Sequence, residues 1–415
     1  MKLIFVIILL VVFNWGLKAQ NKSATILPGA YNLKAYLPLL NGKSVAFYAN
    51  NTSRIGSTHV VDTLLKNGIN IKKIFAPEHG FRGNADAGEK VENSIDAATK
   101  IPVISLYGKH NKPTAAELAD VDILLFDIQD VGVRFYTYIN SMQLYMEAAI
   151  ESNKPLIILD RPNPNGHYVD GPILDTAFKT FVGYQPIPIV YGMTMGEYAN
   201  MLLYEKMLAP KANAAYETIS LSRYGKGAVF FNLTVVPCNN YNHKSKYILP
   251  YKPSPNLPSM QSVYLYPSIC FFEGTNVSLG RGTTLPFEIY GQPNFNKNLY
   301  SFTPVSMPGA KDPPLKNIKC YGYNLTKVKV KNEIDLSFLI NAFKQIPTKD
   351  SFFLMPAKKP TADKDLFFNK LAGNNILINQ IKNNISQDAI KASWQPGIDA
   401  FKKTRKKYLL YADFE

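Results

Sequence analysis

The chain has 415 residues, and 46 Lys and Arg against 31 Asp and Glu give it a formal net charge of +15 at pH 7. This charge favours anionic surroundings, such as nucleic acid, an acidic membrane surface or an anionic cell-wall polymer. The chain has three cysteines, Cys238, Cys270 and Cys320. Their spacing fits neither a disulfide framework nor a metal knuckle, and we interpret them as buried thiols. The length predicts two or three domains.

The first 19 residues have the pattern of a secretory signal peptide. Lys2 precedes an apolar run at residues 3–13, and a small residue, Ala19, stands at the expected cleavage site. The run is too short to span a membrane, and no cysteine follows that could carry a lipid. We therefore expect a secreted or periplasmic mature chain that begins near Gln20. We also expect it to be soluble, because no later stretch is long enough to cross a membrane. This location argues against nucleic acid as a partner.

Strand-like and helix-like segments alternate through the first half of the chain. The run at residues 121–126 has almost no polar alternation, which is typical of a strand buried on both faces. The alternation predicts an α/β fold built on a Rossmann-like, mostly parallel, doubly wound sheet. The predicted strands are residues 44–50, 71–75, 101–107, 121–126 and 155–159, and the predicted helices include residues 60–65, 113–118 and 139–150.

Polar side chains follow three of these strands at the point where each strand ends. Because the carboxyl ends of parallel strands share one edge of a sheet, these side chains are expected to line a common crevice. Three separate strand ends make a functional crevice a better interpretation than a set of polar turns. The crevice residues are Glu78, His79 and Arg82 after one strand, Asp127 and Gln129 after the next, and Asp160, Arg161 and Asn163 after the third.

The sequence lacks the motifs of the common nucleotide-binding sheets. Neither G-x-G-x-x-G after the first strand nor G-x-x-x-x-G-K-[ST] occurs, so we predict no nucleotide cofactor. Glu78, His79, Asp127 and Asp160 could supply an oxygen-rich metal site, but H-E-x-x-H and paired-histidine spacings are absent. We therefore predict a site without metal and keep a metal-dependent hydrolase as an alternative.

A proline-rich segment at residues 251–259 divides the chain. It carries four prolines in the ten residues 250–259, which favours an extended strap. We predict a Rossmann-like domain at 24–250, the strap at 251–259, and a smaller α+β domain at 260–415. Beyond the strap, residues 271–284 combine glycines, hydroxyl side chains, one acid and one arginine, which is typical of a ligand-binding loop.

Seven short motifs, in order along nearly the whole mature chain, resemble those of the NamZ-type exo-β-N-acetylmuramidases. They are PEHGFRG (77–83), DIQDVGVRFYTY (127–138), DRPNP (160–164), PSPNLP (253–258), FEGTN (272–276), GRGT (280–283) and PFE (286–288). The resemblance implies a Rossmann-like domain joined to a smaller one, with the site in the cleft between them. It also implies a glycosidase that removes N-acetylmuramic acid from the non-reducing ends of peptidoglycan fragments.

The resemblance further implies a catalytic pair of glutamates. The first is Glu78, and the second is Glu273 or Glu288, of which we favour Glu273 because it heads the glycine-rich loop. Glu288 would then sit in a strand and pair with Arg281 or Arg134. Either arginine also suits the carboxylate of muramic acid through a bidentate contact. The expected substrate-binding residues are His79, Arg82, Asp127, Gln129, Arg134, Tyr136, Asp160, Arg161, Asn163, Asn276 and Arg281.

A second class of function fits the same predicted cleft. A periplasmic protein that binds cell-wall fragments without cleaving them would also use a cleft between two α/β domains. The sequence does not decide between a retaining and an inverting reaction, and it leaves the oligomeric state and the tolerance for stem peptides open.

Overall fold

The computed structural model describes residues 24–78, 80–82, 92–224, 231–356 and 362–415. The predicted signal peptide (1–19), the mature start near Gln20, and His79 lie outside the described residues. Within the described ranges, no helix is both long enough and apolar enough to cross a membrane.

A seven-stranded sheet forms the centre of the N-terminal half. The described strands of this half are β1 (Ser44–Ala49), β2 (Arg54–Ile55), β3 (Thr58–His59), β4 (Asn70–Ala76), β5 (Ser94–Ile95), β6 (Pro102–Ser105), β7 (Ile123–Asp127), β8 (Leu156–Leu159) and β9 (Leu233–Val236). The sheet order is β5-β6-β4-β1-β7-β8-β9, and every neighbouring pair is parallel except the edge pair β5–β6. β2 and β3 form a separate small hairpin.

Helices cover both faces of this sheet. Alternate residues of β1 point into different cores, with Val45 and Phe47 in one core and Ala46 and Tyr48 in the other. This explains why the inner strands are almost wholly apolar. The described helices are α1 (Leu33–Leu40), α2 (Val60–Lys66), α3 (Tyr138–Glu151), α4 (Met195–Tyr204), α5 (Pro210–Tyr224), α6 (Met260–Ile269), α7 (Ser337–Gln345), α8 (Phe367–Ala372), α9 (Ile376–Lys382) and α10 (Gln387–Arg405).

The helix predicted at residues 113–118 is wrong, because this segment is a hydrogen-bonded turn. The amide of Leu118 donates to the carbonyls of Thr114 and Ala115, both at 3.2 Å, and the Glu117 carboxylate caps the Thr114 amide at 2.8 Å. Too few consecutive bonds form here for a helix to propagate.

The C-terminal half is smaller and contains an antiparallel sheet. Its strands are β10 (Ile289–Gln292), β11 (Tyr300–Phe302) and β12 (Cys320–Asn324), in the order β10-β12-β11. Together with the parallel sheet of the first half, this arrangement confirms the predicted fold class, a Rossmann-like domain with a smaller α+β unit.

The last residues of the chain return to the N-terminal half. The His243 amide donates to the Ala412 carbonyl at 2.9 Å, and Arg405 Nε donates to the Gly192 carbonyl at 2.8 Å. The C-terminal segment thus closes over the Rossmann-like half. The predicted domain ranges, 24–250, 251–259 and 260–415, stay a prediction.

Candidate functional site

A cleft of about 310 Å³ lies where the carboxyl ends of β4 and β6 meet the segments beyond residue 250. Both halves of the chain contribute to its walls, and aromatic side chains predominate. From the first half come Glu78, Tyr107, Phe135, Tyr136, Thr137, Tyr138, Phe181 and Val182. From the second half come Ser254, Asn256, Leu257, Tyr266, Cys270, Glu273, Arg281, Phe287, Phe367 and Leu371. We call this site the main cleft.

Glu78 reaches the main cleft because β4 ends two residues before it, at Ala76. The Tyr107 hydroxyl donates to Glu78 Oε1 at 3.0 Å. Burial, and after it the negative charge of Glu78, raise the pKa of the Tyr107 phenol well above its usual value. Tyr107 therefore remains a neutral hydrogen-bond donor to this carboxyl group across the physiological range.

Glu273 also lines the main cleft, and it belongs to a 3-10 helix (Cys270–Gly274) that continues α6. Arg281 Nε donates to Glu273 Oε1 at 2.6 Å, and the Arg281 guanidinium stacks on Phe287 at 5.1 Å from the ring centroid. Burial lowers the pKa of Arg281, but the Glu273 carboxylate outweighs it and raises the pKa above its usual value. Glu273 and Arg281 thus form an ion pair inside the cleft.

Glu288 has a different environment. It is 5% exposed, does not belong to the main-cleft lining, and accepts a hydrogen bond from the hydroxyl of Ser259, the N-cap residue of α6. The predicted ion pair of Glu288 with Arg281 or Arg134 is wrong, because Arg281 binds Glu273 and Arg134 binds backbone carbonyls. Glu288 instead fixes the start of α6, and the 3-10 helix that contains Glu273 continues α6 at its other end.

Arg134 is fully buried, with 0% exposure, behind the main cleft. Its Nη1 donates to the carbonyls of Pro172 and Ile187 at 2.9 and 2.7 Å. Its Nη2 donates to those of Leu371 and Ala372 at 3.0 and 2.9 Å. Because both Nη groups bind backbone carbonyls and the side chain is fully buried, the structure gives no support to the predicted contact of Arg134 with substrate. Arg134 joins the two halves of the chain.

Arg82 lies near Glu78 in sequence, but its side chain binds a different acid, Asp96. Its Nε and Nη2 bind the two carboxylate oxygens of Asp96 at 3.0 and 2.8 Å, and its guanidinium lies over the Phe81 ring at 4.6 Å from the centroid. The hydrogen bonds from Arg82 lower the pKa of Asp96 to about 2, although burial of the Asp96 carboxyl group partly opposes this change. Arg82 therefore anchors the loop after β4.

Asp127 and Arg161 form a buried ion pair at the carboxyl ends of β7 and β8. Arg161 Nη2 donates to Asp127 Oδ2 at 2.8 Å and Arg161 Nε to Oδ1 at 2.5 Å, and Asp127 is 0% exposed. Gln129 Nε2 donates to the carbonyls of Asp130 and Pro162, both at 2.8 Å. These three predicted crevice residues therefore bind each other and the backbone, and none of them lines the main cleft.

Asp160 and Asn163 also have internal partners. Asp160 accepts from the hydroxyls of Thr194 and Tyr411 at 2.7 and 2.6 Å and from the Gly196 amide at 2.9 Å, at the start of α4. Burial raises the pKa of Asp160 to about 6 although these bonds oppose the rise. Asn163 Nδ2 donates to the Met193 carbonyl at 2.8 Å. Both residues organise the strand-end loops rather than the cleft surface.

Of the remaining predicted residues, Tyr136 lines the main cleft and Asn276 does not. The Tyr136 hydroxyl donates to the Pro253 carbonyl at 2.7 Å, which ties the cleft wall to the proline-rich strap. The Asn276 amide donates to the Phe352 carbonyl at 2.9 Å. The structure therefore brings together Glu78, Tyr136, Glu273 and Arg281 from the predicted set.

Sequence reasoning missed Tyr107 and Asn256. Tyr107 follows the end of β6 by two residues, so the strand-end rule that selected Glu78 could have found it. Asn256 lies in the proline-rich strap and lines the main cleft. The proline content of the strap indicated a connecting segment rather than a ligand-binding surface. The aromatic residues of the lining look like ordinary core residues in the sequence.

The described residues offer no cluster of three or more His, Cys, Asp or Glu side chains that could hold a metal ion. The three cysteines are buried and unpaired, as the sequence indicated.

Two family models match the chain. One, described as "Exo-beta-N-acetylmuramidase NamZ, N-terminal", matches residues 45–261, and its C-terminal counterpart matches residues 264–411. The chain is 37% identical to the peptidoglycan beta-N-acetylmuramidase NamZ of Bacillus subtilis (strain 168), over 95% of this chain and 92% of that protein.

Two crystal structures from Bacteroides fragilis NCTC 9343, both of DUF1343 family proteins, are similar to this chain. The first has 46% sequence identity and a TM-score of 0.81, and the match covers 94% of this chain and 100% of that one. The second has 27% identity and a TM-score of 0.74, with coverages of 93% and 99%.

Proposed function

The chain belongs to the NamZ exo-β-N-acetylmuramidase family, and we propose that it releases N-acetylmuramic acid from the non-reducing ends of peptidoglycan fragments. In this proposal the reaction takes place in the main cleft, between the two halves of the chain. Glu78 and Glu273 are the catalytic carboxyl groups. We further propose that residues 1–19 export the protein, so that it meets its substrate outside the cytoplasm.

One observation carries the assignment of the pair. Glu78 and Glu273 enter the same cleft from opposite halves of the chain. Glu78 accepts a hydrogen bond from the Tyr107 phenol, and Glu273 is paired with the Arg281 guanidinium. Glycoside hydrolysis uses one carboxyl group as a proton donor and a second, ionised one as base or nucleophile. Different environments are the usual means of separating these two roles.

We assign the two roles as follows. Glu78 is the acid that protonates the leaving oxygen as the bond from the muramic acid anomeric carbon breaks. Glu273, paired with Arg281, is the carboxylate that acts on the anomeric carbon directly or through water.

Arg281 is also our candidate for recognising the lactyl carboxylate of muramic acid. Its Nε is used by Glu273, and among the described residues no hydrogen-bond acceptor contacts its two Nη groups. Arg281 lines the main cleft, and a guanidinium can bind two carboxylates at once. This assignment replaces Arg134, whose two Nη groups both donate to backbone carbonyls.

The test is incubation of the purified mature protein with a disaccharide of N-acetylmuramic acid β-1,4-linked to N-acetylglucosamine. We expect release of both monosaccharides, and loss of that release in Glu78→Gln and in Glu273→Gln. Intact disaccharide after incubation with wild-type protein would contradict the proposal. Calorimetry on the same sample would then show whether the cleft only binds the fragment. A control with a chelator distinguishes this reaction from a metal-dependent one. Our proposal expects the activity to be unchanged when the chelator is present.

A further inference from the structure

A second cavity, of about 300 Å³, lies beside the main cleft. Its walls come from the proline-rich strap, from the loop after Arg281 and from the turn that Met307 opens. Its lining includes Lys252, Pro255, Asn256, Thr284, Pro286 and Met307. We call it the second cavity. Its volume lies in the range of sites that hold small ligands.

The second cavity adjoins the main cleft through shared walls. Asn256 lines both spaces. In the loop at residues 281–287, the first and last residues, Arg281 and Phe287, line the main cleft, while Thr284 and Pro286 between them line the second cavity. A chain-like ligand in the main cleft therefore has a neighbouring space to enter, directly past the residue that holds Glu273.

The walls of the second cavity are fixed in place. Asn256 Nδ2 donates to the Gly309 carbonyl at 2.8 Å, which ties the strap to the turn. The Val305 amide donates to the Gly282 carbonyl at 2.8 Å, which ties the loop to the same region. Gly282 has φ +76°, and a Cβ there would lie 2.5 Å from Pro313 Cγ and 2.6 Å from the Val305 carbonyl oxygen. Only glycine therefore permits this wall, and the cavity is preformed.

The lining matches a saccharide. The rings of Pro255 and Pro286 and the Met307 side chain present apolar surface to the C–H faces of a sugar, and Asn256 and Thr284 add polar groups. Lys252 adds a positive charge at the rim, which suits the carboxylates carried by peptidoglycan fragments.

The geometry of exo-cleavage indicates which part of the substrate would bind in the second cavity. An exo-acting enzyme holds the terminal, non-reducing sugar at the catalytic groups, so any further substrate must extend on the leaving-group side. We propose that the second cavity is the subsite for the leaving-group saccharide, beginning with the N-acetylglucosamine that is split from muramic acid. This inference rests on the proposed function and deepens it.

The experiment compares substrates that share the muramic acid but differ in the leaving group. The 4-nitrophenyl glycoside of N-acetylmuramic acid lacks the saccharide, whereas the disaccharide and the corresponding tetrasaccharide carry it. Thr284→Trp fills the second cavity, and Lys252→Gln removes its charge without adding bulk. Thr218→Trp, on an exposed position of α5 that lines neither space, is the matched control.

We expect Thr284→Trp to lower kcat/KM about tenfold for both saccharides and to change it less than about twofold for the aryl glycoside. Lys252→Gln should act in the same direction, by about threefold, most clearly on the tetrasaccharide. The control variant should match wild type on all three substrates. Equal losses on aryl and saccharide substrates, or no loss on any, would overturn the subsite.

Failure of the proposed function gives a different result. If wild-type protein hydrolyses none of the three substrates, including the aryl glycoside, the reaction itself is refuted. If wild-type protein hydrolyses the aryl glycoside and both variants keep the wild-type preference for saccharides, only the subsite is refuted. Because Lys252→Gln is a surface substitution, it decides the question even if Thr284→Trp reduces stability.

Discussion

Arg281 Nε lies 2.6 Å from Glu273 Oε1, and both side chains face a cleft that Glu78 enters from the other half of the chain. The position of the Glu273 carboxylate therefore depends on a residue eight positions later, in the glycine-rich loop. Phe287, stacked on the guanidinium, restrains Arg281 in turn.

The first prediction concerns this ion pair. Arg281→Met keeps most of the side-chain length but removes the charge and the hydrogen bond, so Glu273 loses its orientation. We expect kcat/KM for the disaccharide to fall on the order of 100-fold, because small misplacements of a catalytic group have costs of that size. Arg281→Lys should recover part of the loss. Wild-type kinetics in Arg281→Met would show that Glu273 needs no such support.

The second prediction separates the two candidate partners of Glu78. Glu273→Gln should lower kcat by about 10³-fold with little change in KM, because it removes a group that acts in the transition state. Glu288→Gln should keep kcat near wild type and lower the free energy of unfolding by about 1 kcal/mol, because it weakens one buried hydrogen bond to Ser259. Steady-state kinetics and urea unfolding of both variants measure this, and the reverse pattern would assign the catalytic role to Glu288.

The third prediction concerns Arg134. Arg134→Met removes a donor from four backbone carbonyls, those of Pro172, Ile187, Leu371 and Ala372, of which the Ile187 carbonyl still accepts from the Leu174 amide. We expect the free energy of unfolding to fall by about 3 kcal/mol or more, measured by urea denaturation. Lys206→Met, which removes one side of an exposed ion pair with Glu217, is the control and should be near neutral. A stable Arg134→Met variant with a raised KM would instead place Arg134 in substrate binding.

The fourth prediction concerns pH. Burial raises the pKa of Asp130 from 3.8 to about 7, although hydrogen bonds from Tyr191 and the Gly132 amide oppose the rise. The folded state therefore binds this proton more tightly than the unfolded state. The resulting stability is fully present below about pH 4 and is lost as the pH rises to about 7.

Asp130→Asn cannot lose a proton, and its side-chain oxygen can still accept both hydrogen bonds. Relative to wild type, its free energy of unfolding should rise with pH between 4 and 7, by at most about 1.4 kcal/mol per pH unit. Urea denaturation at several pH values measures the difference. A difference that does not change with pH would show that Asp130 keeps an ordinary pKa in the folded protein.

The sequence predicted the sheet well because its signals are local. Near-continuous apolar runs mark the parallel strands, and the strand-end rule placed Glu78 at the edge of the sheet where the main cleft lies. The short helix at 113–118 was wrong because proline at a helix start, followed by apolar residues, also fits a capped turn.

The roles of the other polar residues at strand ends could not be predicted from their neighbours in the sequence. Asp160 binds Tyr411, which is 251 positions away, and Arg134 binds the carbonyl of Ala372, 238 positions away. Whether an acid at a strand end faces a cleft or a buried partner depends on such distant contacts. Asp127 illustrates this, since only the fold brings Arg161 onto it.

The most direct test of the central claim is how the effect of Glu78→Gln on kcat/KM changes with the leaving group of the substrate. The 4-nitrophenolate ion leaves without a proton, whereas N-acetylglucosamine needs one from the general acid. We predict that kcat/KM of Glu78→Gln falls by about 10³-fold for the disaccharide and by less than about tenfold for the 4-nitrophenyl glycoside. Equal losses on the two substrates, or an unimpaired rate on the disaccharide, would contradict the assignment of Glu78 as the acid.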